Sequence, residues 1–134
     1  MLITIGLLIL TAFFNRCMDT VAYHYDYSIF RRLKRQWWDL TISWRNKYKF
    51  GNKCYWLKYR FPFAWLIIIT DAWHMFKFCM VTTLCLTIIY ALNAGILIDC
   101  SLSFSLFMLV LFGIIWNLCF SIFENILEPH KPRA

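Results

Sequence analysis

Three blocks of the chain are apolar almost throughout, at positions 1–14, 61–98 and 101–123, and the segments that join and follow them are polar or basic. A helix needs about 20 predominantly apolar residues to cross the hydrocarbon of a bilayer. With the residues at its ends, each block reaches that length. The pattern therefore predicts an all-α, polytopic helical membrane protein with three transmembrane helices at about 1–22, 61–98 and 101–124. A loop at 25–60 and a tail at 125–134 complete a single membrane domain.

The middle block is longer than a membrane requires. Pro62 suits the first turn of a helix, and no Gly or Pro follows before Gly95, so one long helix starting near Phe61 is expected. Such a helix would extend roughly 55 Å against a hydrocarbon core of about 30 Å. If the membrane were centred on 63–81, Asp71 would lie near the midplane, at a cost of about 2.5–3.5 kcal/mol. The window 78–98 contains no charge and is expected to make the crossing, with Lys77 at its entrance and 61–76 as an extension outside the core.

Within these blocks the polar positions recur at helical spacing. Asp71, His74 and Lys77 stand three apart, on one edge of an otherwise apolar helix. Thr11, Asn15, Asp19 and Asp26 share one face of the first helix, and Gly113, Asn117, Ser121, Glu124 and Glu128 share one face of the third. The three sets are expected at one level, as a polar cluster near a membrane interface.

Composition confirms the class. At 61% hydrophobic and 20% aromatic, a soluble domain of 134 residues would have too little interior to hide its apolar side chains. The first block has no basic leader and no small-residue cleavage site, so it reads as a retained helix. Charge then suggests an orientation. Ten of the fourteen Lys and Arg lie between Arg31 and Arg60, and the link around Asp99 has none. The positive-inside rule places the loop and the tail in the cytoplasm and the N-terminus outside, in a membrane such as the bacterial inner membrane. Arg31, Arg32, Lys34 and Arg35, followed by Trp37, Trp38 and Trp44, read as a segment lying on anionic lipid head groups. Topology accounts for the charge without nucleic acid as a partner.

Ionisable groups inside a membrane helix are costly and commonly mark a site. The catalytic candidates are Asp71, His74 and Asp19, with His74 as general base and a carboxylate orienting it. Asn15, Arg16, Trp44, Asn46, Lys47 and Lys77 are candidates for binding an anionic head group. Asp71, His74, Asp19 and Glu124 supply enough nitrogen and oxygen donors for a single divalent metal. His24 sits off the Asn15–Asp19 face, and His130 is expected in solvent. The six cysteines contain no C-x-x-C pair and read as packing residues.

Two function classes follow. One is a hydrolase or transferase acting on a lipid or lipid-linked head group, with or without a metal. The other is a non-catalytic membrane subunit or assembly factor. In that case an Asp71–His74 or Asp71–Arg16 pair locks helices, the loop grips anionic lipid, and the partner is a second copy or another membrane protein. An ion or proton pathway is disfavoured by the uncharged window 78–98.

The run Ser43-Trp44-Arg45-Asn46-Lys47-Tyr48-Lys49 and the run Thr70-Asp71-Ala72-Trp73-His74 resemble segments of short bacterial integral membrane proteins. The resemblance brings no activity with it. It implies that Trp44, Asn46 and Lys47 belong with Asp71 and His74.

Overall fold

A computed structural model describes residues 2–48, 63–93 and 102–130. The described residues are helical, with no strand among them. Helix α1 covers Leu2–Tyr23, two single-turn helices α2 and α3 cover Arg35–Trp38 and Leu40–Ser43, α4 covers Ala72–Asn93, and α5 covers Leu102–Leu127. Three of these have the length and apolar character to cross a membrane, over Leu2–Tyr23, Ala72–Asn93 and Ser103–Leu127.

Helix α1 is the centre of the bundle. Its Thr11 meets Thr83 of α4, while Phe14 meets Phe76, so the two helices run antiparallel. Along α5 the order is reversed: Leu8 packs on Met108 and Phe112, and Phe13 on Phe123, so α1 and α5 run parallel.

The α1–α4 seam is built from short side chains. Ala72, Thr83, Thr87 and Ala91 are the buried small residues of α4, and Thr4, Thr11 and Ala12 are buried on α1. In lipid, where water gives no hydrophobic drive between helices, small residues let backbones approach and gain dispersion contact. Their hydroxyls cost little, because each donates within its own helix: Thr11 to the Leu7 carbonyl at 2.7 Å, Thr83 to Cys79 at 2.9 Å and Thr87 to Thr83 at 2.8 Å. Across the seam the Thr11 and Thr83 hydroxyl oxygens lie 2.9 Å apart, so either hydroxyl can turn from its own carbonyl to donate to the other helix.

The middle block is not one long helix. Phe63–Ile69 forms a 3-10 helix, the chain bends at Thr70 and Asp71, and the α-helix begins only at Ala72. The breaker is neither Gly nor Pro but an aspartate acting as N-cap: Asp71 Oδ1 accepts the His74 backbone N–H at 2.9 Å, satisfying one of the donors a helix start leaves open. Among the described residues the segment long and apolar enough to cross is Ala72–Asn93, with Lys77 in its second turn. Residues 94–101, which complete the expected window, lie outside the described residues.

The described part of the loop folds over one end of the bundle instead of lying flat. Tyr25 and Phe30 join Cys17, Val21, Ala72, Phe76 and Leu127 in one apolar cluster, with Trp37 and Trp38 packed against it. Phe30 and Trp38 stack at 4.8 Å. These two indoles thus pack, partly buried, against the end of the bundle.

A candidate polar site at the loop-bearing end

Because α1 and α5 run parallel and α4 antiparallel, Arg16, Thr20, Asp71 and Glu128 all lie at the end covered by the loop. These four share one end, but the groups there pair differently from the sequence reading.

Glu128 follows the last turn of α5, and its side chain is fully buried. It accepts from Arg16 Nη2 at 2.5 Å and from the Thr20 hydroxyl at 2.9 Å, both on α1. Glu124, one turn earlier, lies 3.4 Å from the same guanidinium, which also sits 4.9 Å above the Phe120 ring. Placing the two carboxylates four residues apart on α5 lets both meet one Arg. The result is a charged clamp between α1 and α5. Arg16 is therefore buried in an ion pair with Glu128, and Glu124 lies against the same guanidinium.

Asp71 is fully buried, whereas His74 is partly exposed. His74 Nδ1 lies 2.9 and 2.8 Å from the two Asp71 oxygens, and the Thr70 hydroxyl reaches Oδ2 at 3.4 Å. An ionised carboxylate only accepts, so this contact places a hydrogen on Nδ1, and in the neutral ring Nε2 is then an acceptor. Both residues belong to one helix start, so the pair reinforces a cap rather than joining two helices. Asp71 makes its hydrogen bonds with Thr70 and His74 and none with Asn15, Arg16 or Asp19.

Loop residues fasten this helix start. Asn46 Nδ2 donates to the Thr70 carbonyl at 3.0 Å and to Gln36 at 2.6 Å, and Trp37 Nε1 donates to the Ile69 carbonyl at 3.3 Å. The carbonyls freed by the bend before α4 are thereby satisfied. Asn46 thus staples the loop to the turn just before α4 that carries Asp71 and His74. Trp44 donates to the Thr41 carbonyl at 3.0 Å, and Lys47 Nζ lies 5.6 Å above the Tyr48 ring. Lys77 is exposed, 4.8 Å above Trp73. Asn15 and Asp19 are half-buried on α1.

A second polar group was not anticipated. Asp39 is buried as the N-cap of α3, accepting from the Thr41 N–H at 3.0 Å and from Arg35 Nε at 3.1 Å. Arg35 also bonds Asp26 at 2.9 Å and lies 5.5 Å above the Tyr25 ring. These residues, with His24 and Thr41, line a cleft of about 110 Å³. The Tyr25 hydroxyl donates to the Leu33 carbonyl at 2.8 Å, and burial raises its pKa above the ordinary tyrosine value, with the Arg35 charge opposing. The Asp-x-Thr capping spacing at Asp39 was the available signal.

Among the described residues no three of the His, Cys, Asp and Glu side chains come together to hold a metal ion, so Asp71, His74, Asp19 and Glu124 do not form one donor set. The expected inward stripe on α5 also divides: Glu124 and Glu128 turn to α1, whereas Gly113, Asn117 and Ser121 are exposed. Cys17 is buried, Cys79 and Cys119 are half-buried and Cys85 is exposed, all free thiols. Cys54 and Cys100 lie outside the described residues. His130 is exposed, its N–H donating to the Tyr27 carbonyl at 3.2 Å. No family model, characterised protein or solved structure matches the chain.

Proposed function

We propose that this chain is a non-catalytic membrane subunit or assembly factor, held together by its polar contacts and bound to anionic lipid head groups through its loop. One contrast carries the reading. Arg16, Glu128, Asp71 and Asn46 are engaged with one another or with backbone, while Arg31, Arg32 and Lys34 stand exposed on the loop at the same end of the bundle. Positive charge on one end supports an orientation with this end in the cytoplasm and the N-terminus outside, as in a bacterial inner membrane.

Each basic residue near an anionic leaflet contributes roughly 1 kcal/mol, and salt screens it. In vesicles of phosphatidylglycerol and phosphatidylcholine, residues 25–48 are expected to gain protection from hydrogen exchange relative to phosphatidylcholine alone. Replacing Arg31, Arg32 and Lys34 with Ser should abolish that gain. Equal protection in both lipids would count against the proposal.

A second reading, hydrolysis or transfer at a lipid head group, is favoured by one observation: Asp71 orients His74 so that Nε2 is left as an acceptor in a partly exposed ring. Release of head group from vesicles by the purified chain, lost in His74→Ala with the fold intact, would put this reading first.

A further inference from the structure

Helix α5 carries a polar stripe that, among the described residues, its own bundle does not use. Gly113, Asn117, Ser121 and Asn125 recur every four residues and all are exposed. No atom lies within 4 Å of where a Cβ on Gly113 would sit, so that turn is open to a neighbour. Asn117 Nδ2 donates to the Gly113 carbonyl at 2.8 Å, and Asn125 Nδ2 to Ser121 at 3.0 Å. Each bond uses one amide hydrogen and leaves the carboxamide oxygen and the second N–H without a partner.

Depth makes this consequential, given that α5 crosses the bilayer as its length and composition allow. Asn117 stands about 4 Å past the helix midpoint, far inside a hydrocarbon core about 30 Å thick. Unpaired amide groups there cost several kcal/mol each, with no water to relieve them. The adjoining face, with Ile114, Leu118 and Ile122 also exposed, is aliphatic and suits acyl chains.

We infer that the Gly113–Asn117–Ser121–Asn125 stripe is where a second copy of this chain docks, α5 against α5, making a homodimer within the membrane. A second copy fits for two reasons on this face. A carboxamide is both donor and acceptor, so two Asn117 groups related by a two-fold axis along the membrane normal satisfy each other at the same depth. The stripe is also uncharged, with neighbouring Glu124 turned to Arg16, so like meets like without repulsion. Gly113, one turn away, lets the two backbones approach, as small residues do at membrane helix pairs.

The test uses the full chain, labelled at its N-terminus with donor or acceptor dye and reconstituted in phosphatidylcholine vesicles over a range of dilution. Energy transfer should show a dimer. Asn117→Leu should weaken it about tenfold or more, from two symmetric contacts worth roughly 0.6–1.7 kcal/mol each. Leu makes α5 more apolar, so insertion is not at risk, and an unchanged circular dichroism spectrum confirms the fold. Ile114→Ala, on the aliphatic face, should leave the dimer unchanged. A monomeric wild-type chain at every dilution, including one that pairs only with a different protein, would overturn the inference, as would an Asn117→Leu chain that dimerises like wild type.

Discussion

Removing one side of the Arg16–Glu128 clamp should be among the most damaging single changes to this fold. In Arg16→Met the methionine fills much of the same volume, but Glu128 keeps a fully buried charge and loses the guanidinium that balances it. Breaking a buried pair in this way costs about 3–5 kcal/mol. Thr20→Val, which removes one neutral donor from the same carboxylate, should cost only about 1 kcal/mol. The double change Arg16→Met with Glu128→Leu should recover most of the loss, because replacing both members of a buried pair by apolar groups is commonly neutral or better. Unfolding free energies of the four proteins in mixed detergent would give the ranking. If the double variant were as unstable as Arg16→Met alone, or if Thr20→Val matched it, the damage would come from packing rather than from an unpaired charge. The clamp would then have to be abandoned as the bond between α1 and α5.

Two further outcomes follow from the loop-bearing end. Asp71→Asn should retain most of the cap, since Asn serves almost as well as Asp, while Asp71→Ala should cost roughly 0.5–2 kcal/mol and speed amide exchange in the first turn of α4; equal losses in both would mean that the charge facing His74, not the cap, is what stabilises. Because the folded chain holds the Tyr25 proton more tightly than the unfolded chain does, Tyr25 contributes stability that is complete below the ordinary tyrosine pKa and falls as pH rises through the higher folded value. Tyr25→Phe should lose this alkaline decline relative to wild type, and an identical decline in both would place its origin elsewhere.

The three spans were legible because hydrophobicity at membrane length is a property of sequence alone. The break before α4 was less so. Expecting only Gly and Pro to interrupt an apolar run overlooks Asp as an N-cap, although Asp71 followed by the α4 sequence is such a signal. That Arg16, Asp71 and the α5 glutamates come to one end was also readable, since helical spacing and block boundaries set depth. Their partners were not. On α5, Glu124 and Glu128 fall on the same idealised face as Gly113 and Asn117, and only the path of α5 past α1 brings one pair to Arg16 while leaving the other exposed. Asn46 shows the same limit from the other direction: its amide suits a phosphate as well as it suits two carbonyls, and the fold decides for the carbonyls.

What separates a lock from a site is hydrogen-bonding capacity left over after folding. The Asp71 carboxylate is buried and accepts from His74, and Asn46 gives both amide hydrogens to carbonyls, so Asn46 has no donor left over for an anionic head group. His74 Nε2 and the Asn117 carboxamide keep such capacity, but in different surroundings. His74 is partly exposed near the capped start of α4, where water or a lipid head group can meet the nitrogen at little cost, so its vacancy permits binding without requiring it. Asn117 lies near the middle of α5, a helix long and apolar enough to cross a membrane, and with that helix in hydrocarbon no water could meet its remaining amide groups. The same unspent bond is therefore optional at one end of the molecule and compelling in the middle. That difference makes association through α5 a firmer consequence of this architecture than chemistry at His74.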